Sequence, residues 1–380
     1  MRALRIWIWR LVVMAEKEMR QLGRDRILLA FIVYAFTVDI FLAASGVTMQ
    51  LSNAATVLVD SDRSATSREL ASRFQPPYFR QDGVPRRSDD AQRELDNGKA
   101  MIALDIPPNF EADLANGRQT SVQMQVDTTN SVLGFMAASY GARIVGTFGL
   151  EQAMARLGLG GGGELPTVSN EFRVWFNQDQ NDSWFMGIAE LLNIVTVFAI
   201  LLPAAAMVRE KERGTIEQLL VSPLSSVQIL LPKVLAMTTV IVAGAVLALY
   251  GVLVPLFDVP IHGSAALFFA LTALYTFTTA GLGLFVATVA RNLAQAAMLS
   301  ILILAPVLFL SGTWTPPEAL PYWLAELMKV SPLHYFLDAS FGVLLKGQGA
   351  QELWRSIAGM LGIGVVVFGF GLYRFRRQFG

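Results

Sequence analysis

The sequence contains no cysteine, which excludes several kinds of protein at once. Without thiols the chain can form no disulfide, use no thiolate nucleophile, and hold neither zinc nor an iron–sulfur cluster through sulfur. Histidine is almost as scarce, because only His262 and His334 are present and they lie 72 positions apart with no obvious ligand cluster. We therefore expect neither a disulfide-stabilised secreted domain nor a metal centre.

Charge is also scarce in this chain. Only 16% of the 380 residues are charged and 53% are hydrophobic, a composition typical of membrane proteins rather than of soluble enzymes. The 30 Lys and Arg residues are balanced by 30 Asp and Glu residues, so the uniformly basic surface of a nucleic-acid-binding protein is missing. No G-x-x-x-x-G-K-[ST] pattern occurs either. The sequence predicts a membrane protein that binds no nucleic acid and no ATP through a Walker motif.

Six long apolar runs are present, each near the 20 residues that a membrane-spanning helix needs. They are residues 27–49, 184–208, 234–257, 265–290, 293–313 and about 353–373. The first run follows a basic leader of 26 residues, which is too long for the start of a signal peptide, so we interpret the run as an uncleaved anchor. The pattern predicts an α-helical polytopic membrane protein with six transmembrane helices.

Positive residues are distributed unequally around these runs. If the chain starts in the cytoplasm, 15 Lys and Arg residues lie at the cytoplasmic ends of the runs and three lie in the short outer loops. The other 12 lie between the first two runs. Because Lys and Arg favour the cytoplasmic side, we expect both termini in the cytoplasm and residues 50–183 outside.

The segment 50–183 is polar and alternates strand and helix signals. This alternation predicts an extracytoplasmic α/β domain inserted between helices one and two. The expected strands are 56–60, 100–106, 120–127 and 171–176, and the expected longer helices are 88–97 and 131–157, with the glycine-rich residues 158–163 as a flexible break.

Three further segments complete the predicted organisation. Within residues 1–26, apolar residues recur with helical period: Leu4, Ile8, Leu11, Ala15, Met19 and Leu22. This stripe predicts an amphipathic helix on the inner membrane surface. Such a helix could anchor the chain or transmit motion from a cytoplasmic partner, and the periodicity favours anchoring. Residues 314–349 are apolar but include no full span, which favours an external interfacial or re-entrant pair of helices. Residues 374–380 form a cytoplasmic tail.

A strongly charged stretch follows the second run, inside the predicted cytoplasmic loop 209–233. It reads R-E-K-E-R-G-T-I-E-Q-L-L-V-S-P-L over residues 209–224. The apolar face of Ile216, Leu219 and Leu220 has nothing in water to pack on, which favours a cytoplasmic protein partner over a merely solvated loop.

This stretch resembles the signature of ABC type-2 exporter permeases, the membrane subunits that work with a separate ATP-hydrolysing subunit. Residues 57–67, 95–110, 126–131 and 175–177 are similar to the bacterial multidrug or linearmycin-type efflux subgroup, which has a large external domain after the first helix, and residues 295–298, 310–312 and 331–336 resemble the same family. Two positions depart from it. Pro232 precedes Lys233 where glycine is usual, and Asp39 stands where an apolar residue or proline is expected.

The resemblance implies a permease of the bacterial inner membrane that exports a drug-like, lipidic or other amphipathic substrate and is not itself catalytic. It implies contacts with membrane lipids, a dimer with a second copy or a paralogue, and an ATP-binding cassette ATPase that carries the ATP and Mg. Whether a periplasmic adaptor protein also takes part stays open. The resemblance assigns ATPase coupling to Glu210, Lys211, Glu212, Arg213, Gly214, Thr215, Glu217 and Leu220.

Three polar residues inside the apolar runs are candidates for the translocation path, namely Asp39, Glu190 and Asn193. An ionised carboxylate within a membrane-spanning helix costs about 2.5 to 3.5 kcal/mol on insertion scales, so it should face the bundle interior, water or a partner. Acids on the path favour a cationic substrate; alternatively, each is protonated or hydrogen-bonded to neighbours such as Thr37 or Asn193. A membrane-anchored sensor with an external ligand-binding domain is the main alternative function, and an ion-coupled carrier acting without ATP is a third.

Overall fold

The computed structural model forms two compact units, Met1–Val47 with Val174–Gly380, and Thr48–Arg173. It describes residues 2–46, 51–83, 85, 87–128, 131–156, 181–214, 225–313 and 320–379. We call the unit Met1–Val47 with Val174–Gly380 the helical unit, and the unit Thr48–Arg173 the sheet unit.

The described elements alternate in type only within the sheet unit. In chain order they are α1 (Arg2–Arg24), α2 (Arg26–Gly46), β1 (Ala54–Asp60), α3 (Ala65–Ser72), β2 (Phe79–Gly83), α4 (Ser88–Asp96), β3 (Ile102–Ile106), α5 (Phe110–Ala115), β4 (Gln123–Val126), α6 (Ser131–Arg156), α7 (Asp182–Glu212), α8 (Ser226–Phe257), α9 (Ala265–Val289), α10 (Leu293–Phe309), α11 (Tyr322–Met328), α12 (Pro332–Leu344) and α13 (Trp354–Phe379). Helices α2 and α8 each contain one π-helical turn, Ala35–Asp39 and Leu249–Leu253.

Five described helices are long and apolar enough to cross a membrane, namely α2, α7, α8, α9 and α13. They confirm five of the predicted runs, and the fold is that of a mostly helical membrane protein with a small sheet. Helix α10 covers the remaining run but has 17 residues, fewer than the roughly 20 that span a bilayer. The sixth span therefore stays a prediction.

Short polar side chains begin many of these helices, as N-capping requires. Asp25, Asn181, Ser225, Ser264 and Asn292 each accept a hydrogen bond from a backbone N–H in the first turn of the following helix. At α8 the cap is reciprocal, because the side chain of Gln228 also accepts from the backbone N–H of Ser225. Asp25, Asn181, Ser264 and Asn292 each lie within three residues of the start of a predicted apolar run, whereas the cap at Ser225 starts α8 nine residues before its run.

Helix α7 is central to the helical unit. It has 31 residues with Pro203 inside it, and 78% of its most apolar stretch is buried against helices that include α2, α8, α9 and α10. The rings of Phe36 and Phe198 stack with centroids 5.6 Å apart. The buried ring of Tyr275 stacks on Phe336 at 4.2 Å. Aromatic packing therefore joins α2 to α7 and α9 to α12.

Helices α9 and α13 approach each other backbone to backbone. A Cβ placed on Gly281 would lie 2.6 Å from Cα of Phe368, a separation that real Cβ atoms essentially never show. Small residues at helix interfaces are the usual way for membrane helices to pack closely. Glycine at position 281 therefore sets the distance between these two helices.

The sheet unit contains one four-stranded sheet in the order β2-β1-β3-β4. Strand β1 pairs in parallel with β2 and β3, and β4 pairs antiparallel with β3. Its core includes the fully buried side chains Leu70, Phe79, Ile102, Leu104 and Ile106. The unit is thus an α/β fold with a mixed sheet.

Most of the predicted elements of the sheet unit are confirmed with shifted ends. Strands β1, β3 and β4 match the expected strands, and α4 and α6 match the expected helices. The sequence pattern did not predict α3 and β2; β2 reads Phe-Arg-Gln-Asp-Gly and buries only Phe79. The glycine-rich residues 158–163 and the expected strand 171–176 lie outside the described residues.

Candidate functional site

Four charged side chains from three helices meet at one end of the helical unit, and we call them the ionic cluster: Lys17 and Glu18 of α1, Glu210 of α7 and Lys233 of α8. The Nζ of Lys233 donates to Oε1 of Glu18 and to Oε1 of Glu210, both at 2.7 Å. The Nζ of Lys17 lies 3.3 Å from Oε1 of Glu210 and 3.5 Å from Oε1 of Glu18. Two cations therefore balance two carboxylates.

Three members of the ionic cluster are almost completely buried. Lys233 is 1% exposed, Glu18 is 3% and Glu210 is 4%. Each buried ion loses several kcal/mol of hydration, which only good pairing offsets. Lys17 is half-exposed, and burial lowers its pKa, but the charges of Glu210 and Glu18 and its hydrogen bonds to them outweigh burial and raise that pKa. The cluster thus depends on all its charges being present.

A local signal for this cluster is present in the sequence, although the predictions from sequence did not include it. Glu18 lies on the same helical face as Leu11, Ala15 and Leu22, at spacings of three, four and seven residues. A carboxylate inside an apolar stripe needs a buried cation. Its partner, Lys233, lies 215 positions away, so the pairing itself could not be read from local spacing.

A second ion pair lies next to the cluster. Oδ2 of Asp25, between α1 and α2, accepts from Nη1 of Arg209 at 3.0 Å, and Oδ1 accepts from the backbone N–H of Leu28 at 3.1 Å. The Leu28 N–H, acting with the Arg209 guanidinium and against a smaller effect of burial, holds the pKa of Asp25 below its usual value. The end of α7 is therefore tied to both α1 and α2.

The other candidate coupling residues at the end of α7 make contacts within the chain. Nζ of Lys211 donates to the carbonyl oxygens of Ala287 at 3.2 Å and Ala290 at 2.9 Å, at the end of α9. Oε1 of Glu212 accepts from the backbone N–H of Leu293 at 2.9 Å, at the start of α10. The charged run therefore holds several helix ends together, which sequence reasoning had not anticipated.

The helix ends just after these contacts. Arg213 and Gly214 are exposed, and Gly214 has φ of +67°, a conformation that favours glycine and terminates α7. Thr215, Glu217 and Leu220 lie outside the described residues. The coupling role of the whole set stays a prediction.

The three candidate path residues come together where α2 packs on α7. Nδ2 of Asn193 donates to Oε2 of Glu190 at 3.2 Å. Asp39 ends the π turn of α2 and interacts electrostatically with Glu190. Thr37 is not a partner of the acids, because its hydroxyl donates to the carbonyl oxygen of Val33 at 2.6 Å. The charges of the two acids therefore influence each other, and both the structural and the path role of these residues stay predictions.

Sequence reasoning missed a buried polar contact one turn further along α7. The hydroxyls of Thr196 and Tyr275 lie 2.9 Å apart, and both residues are completely buried. The hydroxyl of Thr196 also lies 2.8 Å from the carbonyl oxygen of Leu192. Polar groups of α7 therefore continue inward from Glu190 towards α9.

These features define a helical membrane protein that crosses the bilayer several times, with paired charges at the helix ends and acids inside an apolar bundle. The model of the ABC-2 family transporter proteins matches residues 27–373, and the chain belongs to this family. It is 33% identical over 367 residues to the inner membrane transport permease YhhJ of Escherichia coli (strain K12), covering 96% of each chain.

Further relatives match over nearly their full length and have related names. The chain is 26% identical over 373 residues to the probable multidrug ABC transporter permease YbhR of Escherichia coli (strain K12), covering 97% of this chain and 99% of the relative. It is 23% identical over 380 residues to the probable multidrug ABC transporter permease YbhS of that organism, covering 97% and 98%. No solved structure matches the chain.

The comparisons identify the chain as a transmembrane permease of an ABC transporter and support a multi-pass protein of the inner membrane. Membership of the family implies work with an ATP-binding subunit. The comparisons support the permease rather than the sensor.

Proposed function

We propose that the chain is a non-catalytic half of an exporter that moves a drug-like, lipidic or other amphipathic substrate out of the cytoplasm or the inner leaflet. ATP and Mg bind to a separate subunit, which docks on the end of α7 and the loop that follows. The observation that carries this proposal is the ionic cluster, because it joins the end of α7 to α1 and α8 through buried charges. The names of the YbhR and YbhS relatives support a multidrug substrate.

The proposed topology has six spans, with both termini in the cytoplasm and residues 50–183 outside. Helix α10 and the residues up to 313 would make the fifth span, and α11 and α12 an external interfacial or re-entrant pair. The separate sheet unit, which lies between α2 and α7 along the chain, supports an inserted domain. A second copy or paralogue completes the permease.

In the proposed mechanism, nucleotide binding on the partner shifts the populations of two arrangements of the helices. Lys233 and its two carboxylates are buried, so water does not compete for the hydrogen bonds between them. A movement of the end of α7 is therefore passed directly to α1 and α8. The same helix carries Glu190 and Asn193, and the charge of Asp39 of α2 acts on Glu190. Docking at one end is thereby linked to the polar residues near the other.

Charge reversal tests this proposal. We expect Glu212→Lys and Glu217→Lys each to lower efflux and ATPase co-purification while membrane insertion stays normal, because both residues belong to the proposed docking segment. Glu326→Lys is the matched control, since Glu326 is exposed and pairs only with Lys329 among the contacts of the described chain. Unaltered transport and unaltered co-purification in both loop variants would overturn the docking assignment.

A further inference from the structure

The end of the helical unit that carries the ionic cluster also contains a basic cleft. This is an open space of about 940 Å³ between the last turns of α1, the start of α2 and the end of α7. Six cations and two carboxylates line it, a formal excess of four positive charges: Lys17, Arg20, Arg24, Arg26, Arg209 and Arg213 with Glu16 and Asp25. The cleft is therefore a concave site for an anion.

The two carboxylates of the basic cleft are already engaged. Glu16 accepts from Arg20 at 2.5 Å, and Asp25 pairs with Arg209. Within the described ranges, no carboxylate lies within ion-pair distance of Arg24, Arg26 or Arg213, and all three side chains are exposed. The positive charge that remains to bind a ligand is thus concentrated on these three arginines.

An apolar track begins at the rim of the same cleft. Ile27 lines the cleft and is 85% exposed. Further exposed apolar residues follow it along one face of α2 at intervals of three or four residues: Phe31, Tyr34, Val38 and Leu42. The track belongs to a helix that is long and apolar enough to span. A single ligand that fits both features has an anionic head and an apolar tail.

We propose that the basic cleft binds the headgroup of an anionic phospholipid, with Arg24, Arg26 and Arg213 around the phosphate and an acyl chain along α2. Juxtamembrane clusters of Lys and Arg attract anionic headgroups in this way. A free phosphate would leave the apolar track without a role, and an acidic protein segment would leave exposed Ile27 unpaired with any apolar group. The proposal rests on the cytoplasmic position of the N-terminus in the proposed topology.

Lipid binding is measured on the purified permease alone, by native mass spectrometry with dioctanoyl phosphatidylglycerol. Dioctanoyl phosphatidylcholine tests the headgroup, and inorganic phosphate tests the need for a tail. The double variant Arg24→Gln with Arg213→Gln removes two of the three arginines. The matched control, Arg376→Gln with Arg377→Gln, removes two exposed arginines from the end of α13.

We expect phosphatidylglycerol to bind more tightly than phosphatidylcholine and inorganic phosphate to bind weakly. The affinity for phosphatidylglycerol should fall roughly fivefold for each arginine removed from the cleft, since a juxtamembrane cation is worth about 1 kcal/mol. The control variant should retain its affinity, and phosphatidylcholine binding should be equal in all three proteins, which shows that they are folded.

Three results would overturn the proposal. Equal weakening in the cleft and control variants would show diffuse attraction, and phosphate binding as tight as that of the lipid would assign the cleft to a free anion. Loss of ATPase co-purification in the cleft variant with lipid binding unchanged would assign it to the partner protein. Because no transport is measured on the isolated permease, failure of lipid binding leaves the proposed export function to its own test.

Discussion

The Nζ of Lys233 lies 2.7 Å from Oε1 of Glu18, although the two residues are 215 positions apart and both are buried. This contact ties an N-terminal helix with an apolar stripe to a helix that is long enough to span the membrane. Helix α1 is consequently fixed to the bundle by charge as well as by its apolar face. Transmission of motion through α1 stays a prediction beside anchoring.

The first prediction concerns the buried cation. Lys233→Met should destabilise the protein by about 3–5 kcal/mol, because it leaves the buried carboxylates of Glu18 and Glu210 with only the half-exposed Lys17 to balance their charges. Lys329→Met makes the same change in an exposed pair with Glu326, where water screens the charges, so it should lower stability much less. Thermal unfolding midpoints in detergent compare the two.

The double variant Lys233→Met with Glu210→Gln should recover part of the lost stability, because it removes one of the two negative charges that repel each other. Equal midpoints for Lys233→Met and Lys329→Met would show that the ionic cluster does not stabilise the fold.

The second prediction concerns pH. Asparagine at position 25 keeps an oxygen that can cap α2 but loses the charge that pairs with Arg209. The pKa of Asp25 is lowered in the folded state, so its contribution is present above the unfolded pKa of about 3.9 and is lost as pH falls through the folded pKa. Asp25→Asn should therefore cost at most about 1 kcal/mol at pH 7, since the pair is a quarter exposed.

The difference in thermal midpoint between wild type and Asp25→Asn should shrink as the pH falls below about 4. Arg209→Gln should give a smaller loss at pH 7, because Asp25 keeps its charged hydrogen bond from Leu28, and combining it with Asp25→Asn should add little to the loss of Asp25→Asn alone. A difference that is independent of pH would show that the two side chains do not interact through charge.

The third prediction concerns the contact between α9 and α13. Gly281→Ala should destabilise the protein by about 1–3 kcal/mol, because the new methyl group must push the backbone of Phe368 away. Gly362→Ala is the control, since a Cβ there has nothing within 4 Å. Thermal midpoints that fall equally in both variants would contradict a close approach at Gly281.

The fourth prediction concerns the acids inside the bundle. Asp39→Asn and Glu190→Gln keep the shape of the side chains and remove their charge, so efflux of cationic compounds should fall while ATPase co-purification persists. Glu326→Gln, at an exposed acid of α11, should leave efflux unchanged. Normal export of a cationic substrate by the Asp39→Asn, Glu190→Gln double variant would leave the two acids a structural role.

The fifth prediction concerns orientation. The chain has no cysteine, so Ser72→Cys and Arg376→Cys each introduce a single thiol at an exposed position. A membrane-impermeant maleimide should label Ser72→Cys in intact cells and Arg376→Cys only after permeabilisation. The reverse pattern would place the termini outside.

The long apolar runs were predicted well because a bilayer imposes length and composition on each spanning helix separately. Strands β1 and β3 were recognisable for a different reason, because short runs of apolar residues mark each of them along the chain. Strand β2 was not, since it lies at the edge of the sheet and needs only Phe79 to pack. Helix α10 was expected to reach residue 313 but ends at Phe309.

The candidate site could be predicted only in part. The charge of the run from Arg209 to Arg213 is visible in the sequence, but the partners of Lys211 and Glu212 are main-chain groups of α9 and α10. Contacts with main-chain groups leave no trace in residue type. The meeting of Asp39 with Glu190 likewise depends on how α2 packs against α7, which no periodicity within either helix specifies.

The length of α7 has a consequence for how its two ends communicate. Its 31 residues extend about 46 Å, well beyond a hydrocarbon core of about 30 Å, and Asn193 lies about 25 Å from Glu210 along the axis. Pro203 lies between them and removes one backbone hydrogen bond. Pro203 is therefore the position between these two residues at which the backbone hydrogen bonding of α7 is interrupted, and a rotation applied at Glu210 reaches Asn193 only to the extent that the helix stays rigid there.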